Sequence, residues 1–528
     1  MDAVHLFELL IAMLFAVIVL HYAAHRLHLP PAVALIVGGA ALAFVPGLPH
    51  ISLDPALVLV IFLPPLLMDG AWFIPLRHLR RHIIGILSMA IGAVVFTTLV
   101  VAVMTHALLP SLPWAACAAL GAIVSPPDAI AARAVLQRVH LPQRLSILLE
   151  GESLLNDATG LVLFRFAVAA AVTGTFSTVD ALGSFALLAL GGAVVGAVVA
   201  AVWVLVVKRL GDEYLVIAAS VLLCWAAYIL AEMLHVSGVI ATVVAGLICG
   251  WYQHAVFSAA IRLRGTSFWT VLIFLLEASV FMLIGSSLRD VIHRAGGFVV
   301  VLEQMAGPIL WILLGLTLAR FAWIFACDGV IALRRRLGWR RFETMGWRAS
   351  TVLSWAGMRG VVTLAVALTV PADLPGRDFM LVAAFAVILA TVLVQGTTLG
   401  VVIRWLRPPE AGAHVAPLTM SQAEAAMAQA MAKHVQARAY AADGSLIHPQ
   451  LLETYRRRAS ISERYAGNEA EFQPRLQAHF DLVLEANAAG RAELLRLHRA
   501  GQIDDRVLHE LERDLDFEEL SAISAKVT

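Results

Sequence analysis

The chain has 528 residues, of which 60% are hydrophobic and only 14% charged, and its formal net charge is +1. A soluble globular chain carries about 25% charged residues, so this composition excludes an ordinary soluble enzyme and a disordered chain, and the near-zero charge leaves no case for a nucleic-acid partner. Four isolated cysteines, Cys117, Cys224, Cys249 and Cys327, exclude a disulfide-stapled scaffold and read as small buried hydrophobes.

A helix needs about 20 apolar residues to cross a hydrocarbon core roughly 30 Å thick. By that measure apolar blocks fall near 6–24, 31–49, 55–75, 83–109, 113–134, 145–173 and 181–208, then near 214–232, 236–251, 267–288, 298–327, 349–370 and 378–404. These predict an all-α integral membrane protein of about thirteen transmembrane helices, the fifth and twelfth interrupted by Pro or Gly. The first block lacks a preceding basic segment and reads as a retained span rather than a cleaved signal. Placing the N-terminus outside puts 19 Lys/Arg residues in inner loops, Arg334 to Arg336 among them, against three outside, Arg289, Arg294 and Arg377. That excess orients the chain with its N-terminus outside and its C-terminus in the cytoplasm. Residues 1–408 therefore form a transmembrane domain. Residues 409–528 hold no apolar run long enough to span, and their helical periodicity and many i,i+4 charge pairs predict a cytosolic helical tail.

Ionisable residues at membrane depth are expensive and mark function. Here they are Asp69, Asp128, Glu152, Asp157, Arg165, Glu277, Arg320 and Arg359. In the fifth block Pro126 and Pro127 break the helix beside Asp128, and unwound backbone next to a carboxylate is how a mid-membrane cation site is built. In the sixth, Ser153, Asn156, Asp157 and Gly160 recur at i, i+3, i+4 and i+7 and so share one helical face, with Glu152 one turn before Asn156. Such a stripe faces protein or a water-filled cavity. Oxygen donors without His or Cys suit a hard monovalent cation rather than a transition metal.

The strings SPPDA, GESLLNDATGLVLFRFA and WAGMRGVVTLAVAL, with IFLPPLLMDGAWFIPLRHLRR, SGVIATVVAGLICG and EASVFMLIGSSLRD, resemble the bacterial branch of the electroneutral sodium/proton antiporters, in order over residues 1–408. The resemblance implies an inverted-repeat fold with a dimer-interface part and an ion-transporting core. It implies a homodimer in the bacterial inner membrane that uses no cofactor, its partners being the bilayer, protons and a monovalent cation: sodium first, with lithium or potassium as alternatives. Asp128 and Asp157 match the family's cation- and proton-binding carboxylates, Asn156 the Asn of its Asn-Asp pair, and Ser153 a hydroxyl ligand. Glu152 matches a structural acid paired with an Arg of the eleventh span, here Arg320, and Arg359 matches the Arg at the break in span twelve. Where the family commonly has Thr-Asp-Pro this chain has Pro127-Asp128-Ala129, so the Thr hydroxyl is absent and the carbonyl of Pro127 is the ligand left in its place. The expected activity is antiport by alternating access, cation and proton competing for one aspartate site, with an amide at Asn156 favouring an electroneutral ratio. The rival readings are a channel, which would need a pore loop, and an intramembrane aspartyl protease, whose GxGD string the chain lacks.

Overall fold

A computed structural model of the chain describes residues 3–27, 29–44, 55–128, 141–174, 178–338, 344–409, 418–441 and 443–527. The chain divides into two compact units, Met1–Ala411 and Gly412–Thr528. Among the described residues there is no strand, only an isolated bridge between Tyr440 and Leu446.

The first unit contains α1 (Ala3–Arg26), α2 (Pro31–Ala43), α3 (Pro55–Phe73), α4 (Leu76–Leu108) and α5 (Trp114–Val124). It continues with α6 (Gln143–Thr173), α7 (Thr178–Val207), α8 (Glu213–Met233), α9 (Gly238–Val256) and α10 (Ala259–Arg294). Then come α11 (Phe298–Arg336), the short pair α12 (Trp347–Trp355) and α13 (Val361–Leu368), and α14 (Arg377–Leu406). Eight of these helices are long and apolar enough to cross a membrane. The twelfth block is two half-helices, as its glycines predict. The second half of the fifth, 129–134, lies outside the described residues, as do Arg133, Arg138, Arg340 and Arg341.

Several helices run past the apolar blocks that announce them. Arg77, Arg80 and Arg81, expected in a loop, lie in the opening turns of α4, and α11 continues to Arg336. An apolar window stops at the first charges, whereas the backbone continues wherever one face still packs, as Leu79 and Ile86 do in α4. Helix α4 also carries a π-helical turn, Ser88–Ala93. A π turn frees carbonyls, and Trp323 of α11 donates to the carbonyl of Ser88 at 3.1 Å.

Without a hydrophobic force between helices in lipid, small residues decide where backbones approach. Helices α2 and α10 meet at Gly39 and Gly285. A Cβ on Gly285 would stand 2.6 Å from the backbone nitrogen of Ala40. The Gly192–Gly196 and Gly246–Gly250 pairs are spent inside the chain, the first against α9 at Ser237 and Ala241, the second against α3 at Met68, Ala71 and Trp72.

The second unit comprises α15 (Met420–Arg438), α16 (Pro449–Gly467), α17 (Glu469–Arg499) and α18 (Asp505–Val527). Thr419 and Gln422 form a capping box at the start of α15. Ala428, Ala432 and Ala459 bury the contact between α15 and α16, with Tyr455 packed against them. Arg491 ties α17 to Asp516 and Glu519 of α18 at 2.7 and 2.8 Å.

Candidate cation site

Two breaks meet inside the first unit. After Val124 the chain leaves helical geometry at Ser125–Asp128, and after Trp355 it does so at Ala356–Gly360; both stretches are buried. Irregular backbone at membrane depth survives only where protein or a cavity satisfies it, and here each break supplies what the other lacks. The backbone N–H of Asp128 donates to the carbonyl of Met358 at 2.7 Å, and the Asp128 carboxylate accepts from the N–H of Val361 at 3.3 Å. In the opposite direction the Arg359 guanidinium donates to the carbonyls of Val124 at 2.9 Å and Ser125 at 3.3 Å, and also to Gly357. An acid thus sits at the positive end of α13 and a cation at the negative end of α5, the arrangement that helix dipoles favour.

Helix α6 runs alongside. Glycine at 160 lets the Pro126 ring lie against α6, where a Cβ would collide with it. This brings Asn156 to the break: its amide nitrogen donates to the carbonyl of Pro127 at 2.5 Å. Asn156 is fully buried, and its other polar atom, Oδ1, has no hydrogen-bond partner among the described residues. Asp157, the next residue, is 7% exposed, as is Asp128. Ser153 lies half-buried one turn earlier on the same face. The stripe read from the sequence therefore points inward, and the Pro127 carbonyl, expected as a ligand, is engaged by the Asn156 amide.

One turn back on α6, Glu152 forms a bidentate pair with Arg320 of α11, at 2.6 and 2.8 Å, with both side chains buried. Arg320 also donates to the carbonyl of Leu353 at the end of α12, at 3.3 Å. Glycine at 357 makes room for it, since a Cβ there would lie 2.5 Å from the Arg320 Cδ. A signal absent from the sequence reading is Glu232 in the last turn of α8, which pairs with Arg165 of α6 at 3.2 Å. Glu232 lies at the edge of its apolar block, and that position hid it. Asp69 lies on α3 and Glu277 on α10.

Residues 10–405 match the family described as sodium/hydrogen exchanger, transmembrane. The chain belongs to this family. An uncharacterised Na+/H+ exchanger of Mycobacterium tuberculosis is 32% identical over 530 residues, covering 97% of this chain and 96% of that one. A sodium, potassium, lithium and rubidium/H+ antiporter of Bacillus subtilis is 34% identical over 384 residues, 70% of this chain and 57% of that longer protein. The fold is that of the sodium proton antiporter solved from Methanocaldococcus jannaschii, with a TM-score of 0.60 at 22% identity over 76% of this chain and 99% of that one. As a sodium/hydrogen exchanger, the chain is a multi-pass membrane transporter, not an enzyme.

Gly360 is a direct test of how tightly the exchanger holds its break. A Cβ at this position would overlap the Asp128 carboxylate. Gly360→Ala must therefore turn that carboxylate away, and cation-dependent proton flux is expected to fall on the order of tenfold to a hundredfold. Vesicle flux at matched protein abundance measures it. Wild-type flux would mean that the carboxylate's orientation is immaterial.

Proposed function

We propose that the chain exchanges one monovalent cation, sodium first, for one proton by alternating access, both competing for a site between Asp128 and Asp157. The observation that carries this reading is the charge of the buried cluster. Among the described residues it holds three acids, Asp128, Glu152 and Asp157, and two arginines, Arg320 and Arg359, so with all ionised the formal charge of these five is 2 − 3 = −1. Glu152 is neutralised by Arg320 at hydrogen-bond distance, and Arg359 is spent on backbone carbonyls. Asp128 and Asp157 are both buried, and when both are ionised they repel each other in a medium where repulsion is strong. One proton relieves it, and so does one sodium ion. Holding both is superfluous, which makes exchange obligatory and the one-for-one ratio electroneutral. The unpaired Oδ1 of Asn156, the hydroxyl of Ser153 and, on release from Asn156, the carbonyl of Pro127 complete an oxygen-donor set for a hard cation. Arg359 and the Glu152–Arg320 pair hold the frame.

Alternating access would move this core, α4 to α6 with α11 to α14, against a dimer-interface part formed by the remaining helices of residues 1–408. The asymmetry of basic loops supports an N-terminus outside and a tail, residues 409–528, in the cytoplasm. The resemblance to bacterial exchangers supports a homodimer in the inner membrane. The Bacillus subtilis relative, by its name, handles sodium, potassium, lithium and rubidium, so these four ions are the panel to test.

The decisive experiment is cation-dependent proton flux in proteoliposomes. Competition predicts that the apparent KM for sodium rises about tenfold per pH unit on the acidic side while the maximal rate holds, and that clamping the membrane voltage leaves the rate unchanged. A maximal rate that falls with KM constant would remove the competition. Sodium flux without proton counterflow would indicate a channel.

A further inference from the structure

Arg165 lies eight residues beyond Asp157 on α6, two turns or about 12 Å along the helix axis. Its guanidinium meets Glu232 of α8 at 3.2 Å, with the two side chains 47% and 32% exposed. The other carboxylate oxygen of Glu232 accepts from the backbone N–H of Gly238, the first residue of α9, at 3.3 Å. The corner between α8 and α9 is tight: His235 takes a left-handed φ of 56°, and a Cβ on Gly238 would lie 2.8 Å from the Tyr228 ring. Glu232 is therefore fixed to the α8–α9 corner by backbone. Arg165 belongs to the helix that carries Asn156 and Asp157, and that helix packs chiefly on α4 and α5.

We infer that Arg165 and Glu232 are positioning residues: their ion pair latches the far end of α6 to the α8–α9 corner and sets how the exchanger divides itself between outward-open and inward-open forms. The inference rests on the alternating access proposed above. On the proposed orientation the pair lies at the outer end of α6, so it forms when that end is closed and breaks when α6 moves away from α8. A contact made in one form and absent from the other is what shifts a two-state equilibrium. Glu232 stands in the last turn of α8, at the outer interface on the proposed orientation, where the long Arg165 stem reaches water. A pair in that setting is modest and screened by salt, which suits a bias rather than a lock.

The test uses full-length protein in oriented proteoliposomes, with sodium KM read separately on each face. Arg165→Gln and Glu232→Gln are each expected to raise the ratio of inner to outer KM about fivefold, the change that about 1 kcal/mol makes in a two-state ratio. Arg165→Lys keeps the charge and should retain the wild-type ratio. Unchanged KM values on both faces in the neutral variants, or equal changes on both, would mean that α6 and the corner move together, and would overturn the latch. Should the variants fail to reach the membrane, raising choline chloride on the outer face of wild-type vesicles should lower the outer sodium KM alone, and no shift would overturn the proposal. Exchange by wild type with an unaltered ratio in the variants defeats only the latch. Absence of exchange in wild type defeats the functional reading, and the latch with it.

Discussion

Asp157→Asn and Asp128→Asn should each abolish cation-dependent proton flux while the protein remains folded in the membrane. Asn matches Asp in shape but carries neither a titrating proton nor a charge for sodium. At 4 Å and an effective dielectric constant near 20, one unit charge is worth about 4 kcal/mol to a bound cation, on the order of a thousandfold in affinity. The fold should tolerate the change, because a neutral side chain at this depth is cheaper than an ionised one. At position 128 the amide oxygen can still accept from the N–H of Val361, as the carboxylate does at 3.3 Å. Flux in proteoliposomes and isothermal titration with sodium measure the two effects together. Normal exchange by either variant would remove that aspartate from the site.

The second large effect concerns stability. Glu152→Ala leaves the Arg320 guanidinium buried without its carboxylate, and breaking such a pair costs about 3–5 kcal/mol. A fall in the thermal unfolding midpoint of the detergent-solubilised protein is expected. Replacing both partners by apolar residues, Glu152→Leu with Arg320→Met, should restore much of that loss, since no charge is then stranded. Recovery should stay incomplete, because Arg320 also holds the carbonyl of Leu353 at the end of α12. Exchange should respond as well. Removing Glu152 alone changes the formal charge of the buried cluster to 2 − 2 = 0, and sodium affinity should fall even in protein that remains folded. A double variant no more stable than Glu152→Ala would show that the pair contributes through geometry rather than charge neutralisation.

Much of the candidate site was legible in one dimension. The spacing of Ser153, Asn156, Asp157 and Gly160 requires a common face once the segment is helical, and two prolines beside Asp128 require a break. Glu152 with Arg320 was legible only through the resemblance: these residues are 168 positions apart, and no periodicity connects them. Glu232 went unread because it stands at an apolar block's edge, where acids are common. The basic residues that open α4 fall outside its apolar block because apolarity marks the depth of a span and not the length of its backbone ladder.

Composition and apolar spacing alone determined that this chain lives in a bilayer as a bundle of helices, because only closed hydrogen-bonding ladders survive there. They also determined which few charges had to matter. Tertiary structure decided how those charges are used. Arg359 serves the carbonyl end of the other broken span, and Asp128 serves the amide end of Arg359's own, across more than 230 residues of chain. Which side chain satisfies a broken helix depends on what the fold carries past it, and local sequence holds no record of that.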